Sequence, residues 1–194
     1  MIGPKDTKPS LAGRWRAEAV MLPTWIKPQL TKLVEAPPDG PEWLHEIKFH
    51  GYRMHARLDR GAVRLFTRTG LDWTHKYRAI ATAFASFPAR QAYLDGELCG
   101  VRPDGTTSFS LIQNASDTGN AEALVFFLFD LLHLDGETIT ARPLKERKER
   151  LREVLSRASA LLPFSEIRAW ARGARPFLLG RSSPRGSDIG RRRV

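Results

Sequence analysis

Three short segments gather the side chains best able to do chemistry: Glu46-Ile47-Lys48-Phe49-His50-Gly51-Tyr52-Arg53, Thr67-Arg68-Thr69-Gly70 and Leu94-Asp95-Gly96-Glu97-Leu98. They supply amines, guanidinium forks suited to phosphate, and carboxylates that accept hydrogen bonds. Taken singly they say little. A lysine ending a strand reads as a solvated edge residue, and Asp-Gly-Glu as a turn with an acidic neighbour.

The elements that must position these residues follow from patterning. Residues 1–40 carry Pro4, Pro9, Pro23, Pro28, Pro37 and Pro38, which interrupt any long helix, so this stretch is expected to wrap or link. Within it, Met21 to Val34 holds enough apolar side chains to dock on a domain, and Ala36 to Pro41 reads as a turn. Strands are expected over Trp43–Lys48, Tyr52–Asp59 and Ala62–Thr67, with a hairpin turn at Arg60-Gly61. Trp73, Tyr77, Ile80, Ala81, Phe84 and Phe87 recur at three- and four-residue steps and predict a core-facing helix over Asp72–Phe87. A strand over Ala92–Val101, a turn at Pro103-Asp104-Gly105, a short helix over Phe109–Ala115 and a buried strand over Leu124–Leu132 come next. Pro143–Arg157 completes the pattern as a charged helix with Leu144, Leu151, Val154 and Leu155 as its apolar stripe. Strands and helices mix without regular βαβ spacing, so the fold class is α+β with largely antiparallel sheets and flanking helices.

The 194 residues leave room for one ordinary domain with tails: a leader over 1–40, a domain over 41–166 and a tail over 167–194. Hydrophobic residues at 42% and charged residues at 27% are near globular averages. The net charge of +10 and pI of 10.3 favour a polyanionic partner. Much of that charge is local, because Arg168, Arg172, Arg175, Arg181, Arg185, Arg191, Arg192 and Arg193 face the single acid Asp188. Cys99 is the only cysteine, which excludes an internal disulfide and a multi-cysteine zinc site. No signal-peptide core and no apolar run near the ~18 residues of a membrane span is present. The expectation is a soluble, cytoplasmic monomer with no membrane partner.

In their order and separation, the three segments resemble the signature of covalent nucleotidyltransferases, and most closely the adenylation domain of ATP-dependent DNA ligases in the bacterial end-joining group. The resemblance runs from about Pro23 to Glu166 and includes Gly40-Pro41-Glu42-Trp43-Leu44-His45 and Phe126-Phe127-Leu128-Phe129-Asp130-Leu131-Leu132. It implies a nucleotidyltransferase (ATP-grasp-like) fold, ATP as nucleotide, Mg²⁺ or Mn²⁺ as cofactor and nicked duplex DNA as partner. Lys48 matches the lysine of the family's K-x-D-G motif, whose amine attacks the α-phosphate of ATP. Such an amine must be neutral, against an ordinary pKa of about 10.4. By the same resemblance Glu46 holds the adenine amino group and Arg53 is directed at the nucleotide or the nick phosphate. Arg68 grips the DNA 5′-phosphate, Glu97 accepts a bond from the ribose hydroxyl, and Phe129 stacks on adenine. The metal ligands are not identified.

The pattern is broken in two places. Position 50, an aspartate in the family, is His50, which removes a fixed negative charge and implies slow or absent adenylylation. After Leu162-Pro163-Phe164-Ser165-Glu166, neither a Glu-Gly-aliphatic segment nor a Lys-x-Lys motif follows, and the Arg-rich tail has the composition of a shifted reading frame or of a basic nucleic-acid tail. The chain therefore reads as truncated. The competing readings are a catalytically inactive nucleotide- or DNA-binding remnant, an RNA ligase or capping-type nucleotidyltransferase, and a chain left without a stable fold.

Overall fold

The computed structural model describes residues 20–30, 40, 43–46, 48–118, 123–156, 167–168 and 191–193. The segment Leu162–Glu166, most of the Arg-rich tail and nearly all of the turn over Ala36–Pro41 lie outside the described residues.

The elements run β1 (Trp43–Glu46), β2 (Tyr52–Asp59), β3 (Ala62–Thr67), α1 (Arg78–Ala83), β4 (Gln91–Gly100), α2 (Phe109–Thr118), β5 (Leu124–Leu134), β6 (Glu137–Thr138) and α3 (Leu144–Leu155). Two short strands, β7 (Ile167–Arg168) and β8 (Arg191–Arg193), flank β1 in an antiparallel three-stranded sheet. The main sheet has five strands in the order β3-β2-β4-β5-β6, every pair antiparallel. This is the expected α+β class. The β2–β3 hairpin turns at Arg60 and Gly61, both with positive φ (50° and 89°), the backbone that a two-residue primed turn requires.

Alternation along β2 and β4 divides the sheet into two unlike faces. Met54, Ala56 and Leu58 of β2 and Ala92, Leu94 and Leu98 of β4 point into the main core. They meet Tyr77, Ile80 and Phe84 from the α1 region, Ile112 and Ala115 of α2, Phe126 and Leu128 of β5, and Leu151 of α3. The other face carries Arg53, His55 and Arg57 of β2 with Tyr93, Asp95 and Glu97 of β4, and part of it is covered by the leader. Leu22 packs there with Tyr93 and Leu132, and Ile26 lies against them. Arg57 Nε donates to the Pro23 carbonyl at 2.9 Å, and Ile26 N–H to the Tyr93 hydroxyl at 3.0 Å. Over its described residues the leader docks through Leu22, Ile26 and main-chain atoms, while Met21 and Leu30 are exposed. Among the described residues no helix is long and apolar enough to cross a membrane.

Some boundaries differ from those expected. The helix predicted over Asp72–Phe87 shrinks to α1 and a 3₁₀ turn over Phe84–Ser86. Its first residues are diverted by local polar bonds: Thr74 Oγ1 accepts from Leu65 N–H, Asp72 accepts from both the N–H and hydroxyl of Thr74, and Asp72 bridges to Phe66. The apolar spacing still holds, since Tyr77, Ile80, Phe84 and Phe87 are all buried. The first strand stops at Glu46, short of Lys48. The chain then passes over β4 so closely that a Cβ on Gly51 would lie 2.1 Å from the Leu98 carbonyl oxygen.

Gly96 is fixed by a similar constraint. A Cβ there would sit 2.6 Å from both the Phe126 ring and the Phe127 carbonyl oxygen. Gly96→Ala is expected to destabilise the fold by about 1–3 kcal/mol through overpacking, read as a lower urea midpoint at unchanged slope. An unchanged midpoint would mean that the ring and strand move aside freely.

Candidate functional site

β2 delivers Arg53 and β4 delivers Asp95 and Glu97 to the polar face of the sheet, where Arg53 is register partner to Glu97. The guanidinium binds Asp95 through two parallel bonds, Nε to Oδ1 at 3.1 Å and Nη2 to Oδ2 at 2.6 Å. Its third nitrogen donates to the Gln29 carbonyl of the leader at 2.8 Å. His55 Nε2 lies 3.5 Å from Asp95 Oδ1, while Nδ1 is 3.0 Å from the Tyr93 hydroxyl. Burial works to raise the Asp95 pKa, but the His55 and Arg53 hydrogen bonds and the Arg53 charge overcome it and hold the carboxyl at about 2. Arg53, for which the sequence suggested a phosphate contact, is engaged here by Asp95 and the leader.

β3 runs into a tight turn that presents Arg68. Gly70 N–H donates to the Thr67 carbonyl, and Thr67 Oγ1 accepts from Leu71 N–H. Gly70 has φ +88°, and a Cβ on it would press on the Trp25 indole at 3.3 Å. Arg68 is exposed on this turn and, with Gly51, Arg53, Thr69, Trp73 and Glu97, lines a cleft of about 360 Å³. Arg53, Arg68 and Glu97, distant in sequence, thereby share one cavity. A second cleft, of about 420 Å³, lies between α3 and the β5–β6 turn. None of the sequence candidates lines it; its lining carries Asp135, Glu137, Glu146, Glu149 and Glu153 against Arg142 and Arg150, which pair with Glu137 and Glu153.

Lys48 is exposed and is not among the residues that line the cleft shared by Arg53, Arg68 and Glu97; its charge acts to lower the Glu97 pKa. Its neighbour Phe49 stacks on Phe127 of β5, with ring centroids 4.1 Å apart and planes 8° from parallel, which pins the Lys48 segment to the sheet. Gly51 N–H donates to Glu97 Oε1 at 3.1 Å. Burial lifts the Glu97 carboxyl to about 7, with Asp95 adding to the rise, against the pull of the Gly51 bond and the Arg53 and Lys48 charges.

Glu46 and Phe129 come together away from the cleft lining. Phe129 is passed over in the β4–β5 register, where Gly96 faces Leu128 and Asp95 faces Asp130, so it is the extra residue of a β-bulge. Its ring lies 5.6 Å from the Arg53 guanidinium carbon. Its carbonyl accepts from Lys148 Nζ at 2.7 Å, and the same ammonium forms an ion pair with Glu46. Next to it, Arg147 binds Asp130 through two bonds of 2.9 Å. Sequence reasoning missed Lys148, Arg147, Asp95 and the His55–Tyr93 pair. The signal for Lys148 was a lysine in the spacing of Leu144, Leu151 and Leu155, a charge on an apolar stripe.

The two carboxyls respond to pH in opposite directions. Asp95, held below its ordinary 3.8, stabilises the fold above that value and loses the contribution as pH falls towards 2. Glu97, raised above its ordinary 4.5, favours the fold below that value and loses the contribution as pH rises through 7. Glu97→Gln keeps an acceptor for Gly51 and is expected to exceed the parent in stability at pH 8, by on the order of 2–3 kcal/mol, with a smaller difference at pH 5. Thermal unfolding at the two pH values checks this; a gain no larger at pH 8 than at pH 5 contradicts a raised carboxyl.

The same residues can be set beside known proteins. The model of the ATP dependent DNA ligase domain family matches residues 21–172. The multifunctional non-homologous end joining protein LigD of Pseudomonas aeruginosa is 41% identical over 134 residues, 69% of this chain and 16% of that protein. A DNA ligase of Pyrobaculum calidifontis is 38% identical over 119 residues, 57% of this chain and 20% of the relative. Among solved structures, the ligase domain of Mycobacterium tuberculosis LigD superposes with a TM-score of 0.57 at 34% identity, over 64% of this chain and 39% of that one. A mycobacterial DNA ligase D complexed with ATP and MES gives 0.56 at 30% identity, over 64% and 40%. The chain spans a fifth or less of these full-length relatives. With the family model covering most of its length and the fold shared with a LigD ligase domain, the chain belongs to the ATP-dependent DNA ligase domain family.

Proposed function

We propose that this chain carries out the first step of DNA nick sealing in end-joining repair, self-adenylylation at Lys48. The Lys48 amine attacks the α-phosphorus of ATP, a P–N bond forms, and the P–O bond to pyrophosphate breaks with its electron pair leaving on pyrophosphate. The amine proton passes to solvent. An oxygen of a DNA 5′-phosphate at a nicked duplex then takes the adenylyl group, and the P–N bond breaks to return the amine.

The observation that carries this reading is the convergence of Arg53, Arg68 and Glu97 on one cleft, with the Lys48 charge felt at Glu97. In this reading Glu97 accepts from the ribose hydroxyl, Arg68 holds the DNA phosphate as a planar fork, and Phe129 and Glu46 read the base. Phe129 is buried, with the Arg53 guanidinium carbon 5.6 Å from its ring centroid. Mg²⁺ or Mn²⁺, when bound, neutralises charge on the triphosphate. Among the described residues no group of three or more His, Cys, Asp or Glu side chains is placed to hold a metal ion.

A second reading, binding of nucleotide or DNA without chemistry, is favoured by one residue. His50 stands where the family carries aspartate, two positions after Lys48. Incubation with α-labelled ATP and either metal, followed by denaturing electrophoresis, separates the two. The expected result is a covalent label that Lys48→Ala abolishes and His50→Asp increases by at least about tenfold, a barrier change of about 1.4 kcal/mol. Absence of label in both the parent and His50→Asp, with ATP still raising the unfolding temperature, would leave only the binding reading.

A further inference from the structure

Lys148 occupies a position that the helix pattern reserves for an apolar residue. It lies four residues after Leu144 and three before Leu151, both buried, and its own side chain has no exposure at all. A lysine is almost never fully buried unless its charge is paired. Here the ammonium is held twice, by the Glu46 carboxylate and by the Phe129 carbonyl at 2.7 Å.

The placement of these two partners gives the contact its meaning. Glu46 is the last residue of β1 and Phe129 is the bulge residue of β5, and among the described residues the two strands belong to different sheets with no ladder between them. Lys148 is therefore a cross-tie, reaching from α3 to fix one residue of each sheet against the other. The neighbouring Arg147–Asp130 pair ties α3 to the residue that follows the bulge.

We infer that Lys148 is a positioning residue for base selection: by tying Glu46 to the bulge of Phe129, it sets the carboxylate at the edge of the base whose face Phe129 covers. The inference rests on the nucleotide reading of Glu46 and Phe129 given above. A carboxylate accepts hydrogen bonds and donates none, so a fixed one favours a purine with an exocyclic amine over one with a carbonyl at the same place. Selectivity of this kind depends on the acceptor being held still, because a carboxylate that can swing away no longer opposes the carbonyl. Lys148 supplies that restraint without touching the base.

The test measures dissociation constants for ATP and GTP, in the presence of Mg²⁺, on the parent chain and on Lys148→Met, Lys148→Arg and Glu46→Gln. Lys148→Met is expected to lower the preference for ATP over GTP by at least about tenfold while keeping a cooperative unfolding transition, and Lys148→Arg to restore most of it. A purely structural lysine would change stability and leave the ratio alone, so an unchanged ratio in folded Lys148→Met overturns the inference. Should Lys148→Met not fold, the double variant Glu46→Gln/Lys148→Met, which buries no lone charge, is compared with Glu46→Gln. No further loss of preference supports action through Glu46, and an additive loss overturns it. Failure of the parent to bind ATP removes the nucleotide reading and this inference together, whereas binding with an unchanged ratio in Lys148→Met removes this inference alone.

Discussion

A carboxylate buried inside a sheet must be compensated, and the compensation of Asp95 organises much of this domain. Arg53 closes on it with two parallel bonds, and His55 approaches its Oδ1 from the next position on the same face of β2. Tyr93, two residues before Asp95, meets His55 and receives the leader's Ile26 N–H. Removing any one partner would leave a charge or a buried donor unsatisfied, and such a loss costs more than the bond itself contributes. The face of the sheet that would otherwise take apolar cover is thereby committed to polar groups, and the cleft opens at its end, where Glu97 and Arg68 stand.

Two chemically different faces on the same strands explain why so much of the fold was legible. Strand bounds such as Tyr52–Asp59 follow from the apolar and turn residues, and the alternation of Met54, Ala56 and Leu58 with Arg53, His55 and Arg57 fits the two faces that the sheet presents. The Arg60-Gly61 hairpin and the continuous apolar run of β5 are read from composition alone. The helix predicted from Asp72 was too long because its apolar spacing is real but its first turn is not. Asp72 and Thr74 spend their side chains on nearby main-chain groups, which spacing does not register.

The site was legible as residue types and illegible as partnerships. Glu97 and Arg68 share a cavity as their motifs imply, yet Arg53 is turned inward to Asp95 and the leader carbonyl. The bulge at Phe129 breaks the two-residue count that strand reading relies on. The partner that receives its carbonyl, Lys148, comes from a helix that looks from its sequence like a solvated, charged surface element. A charge sitting on an apolar stripe is the kind of local conflict that marks a built contact.

Alongside the packing of Leu22 and Ile26, the leader is gripped by its backbone. Arg57 takes the Pro23 carbonyl, Tyr93 the Ile26 amide and Arg53 the Gln29 carbonyl, and all three holders sit on the sheet. Main-chain atoms are the same in every residue type, so the leader is recognised by its spacing along the strands more than by its spelling. Ile26 packs on Leu22, Tyr93 and Leu132 and is constrained in type, whereas insertion or deletion of a single residue between positions 23 and 29 shifts the carbonyls and the amide out of step with the two arginines and the tyrosine. Away from the packed side chains, drift in this stretch is thus held more by length than by letters.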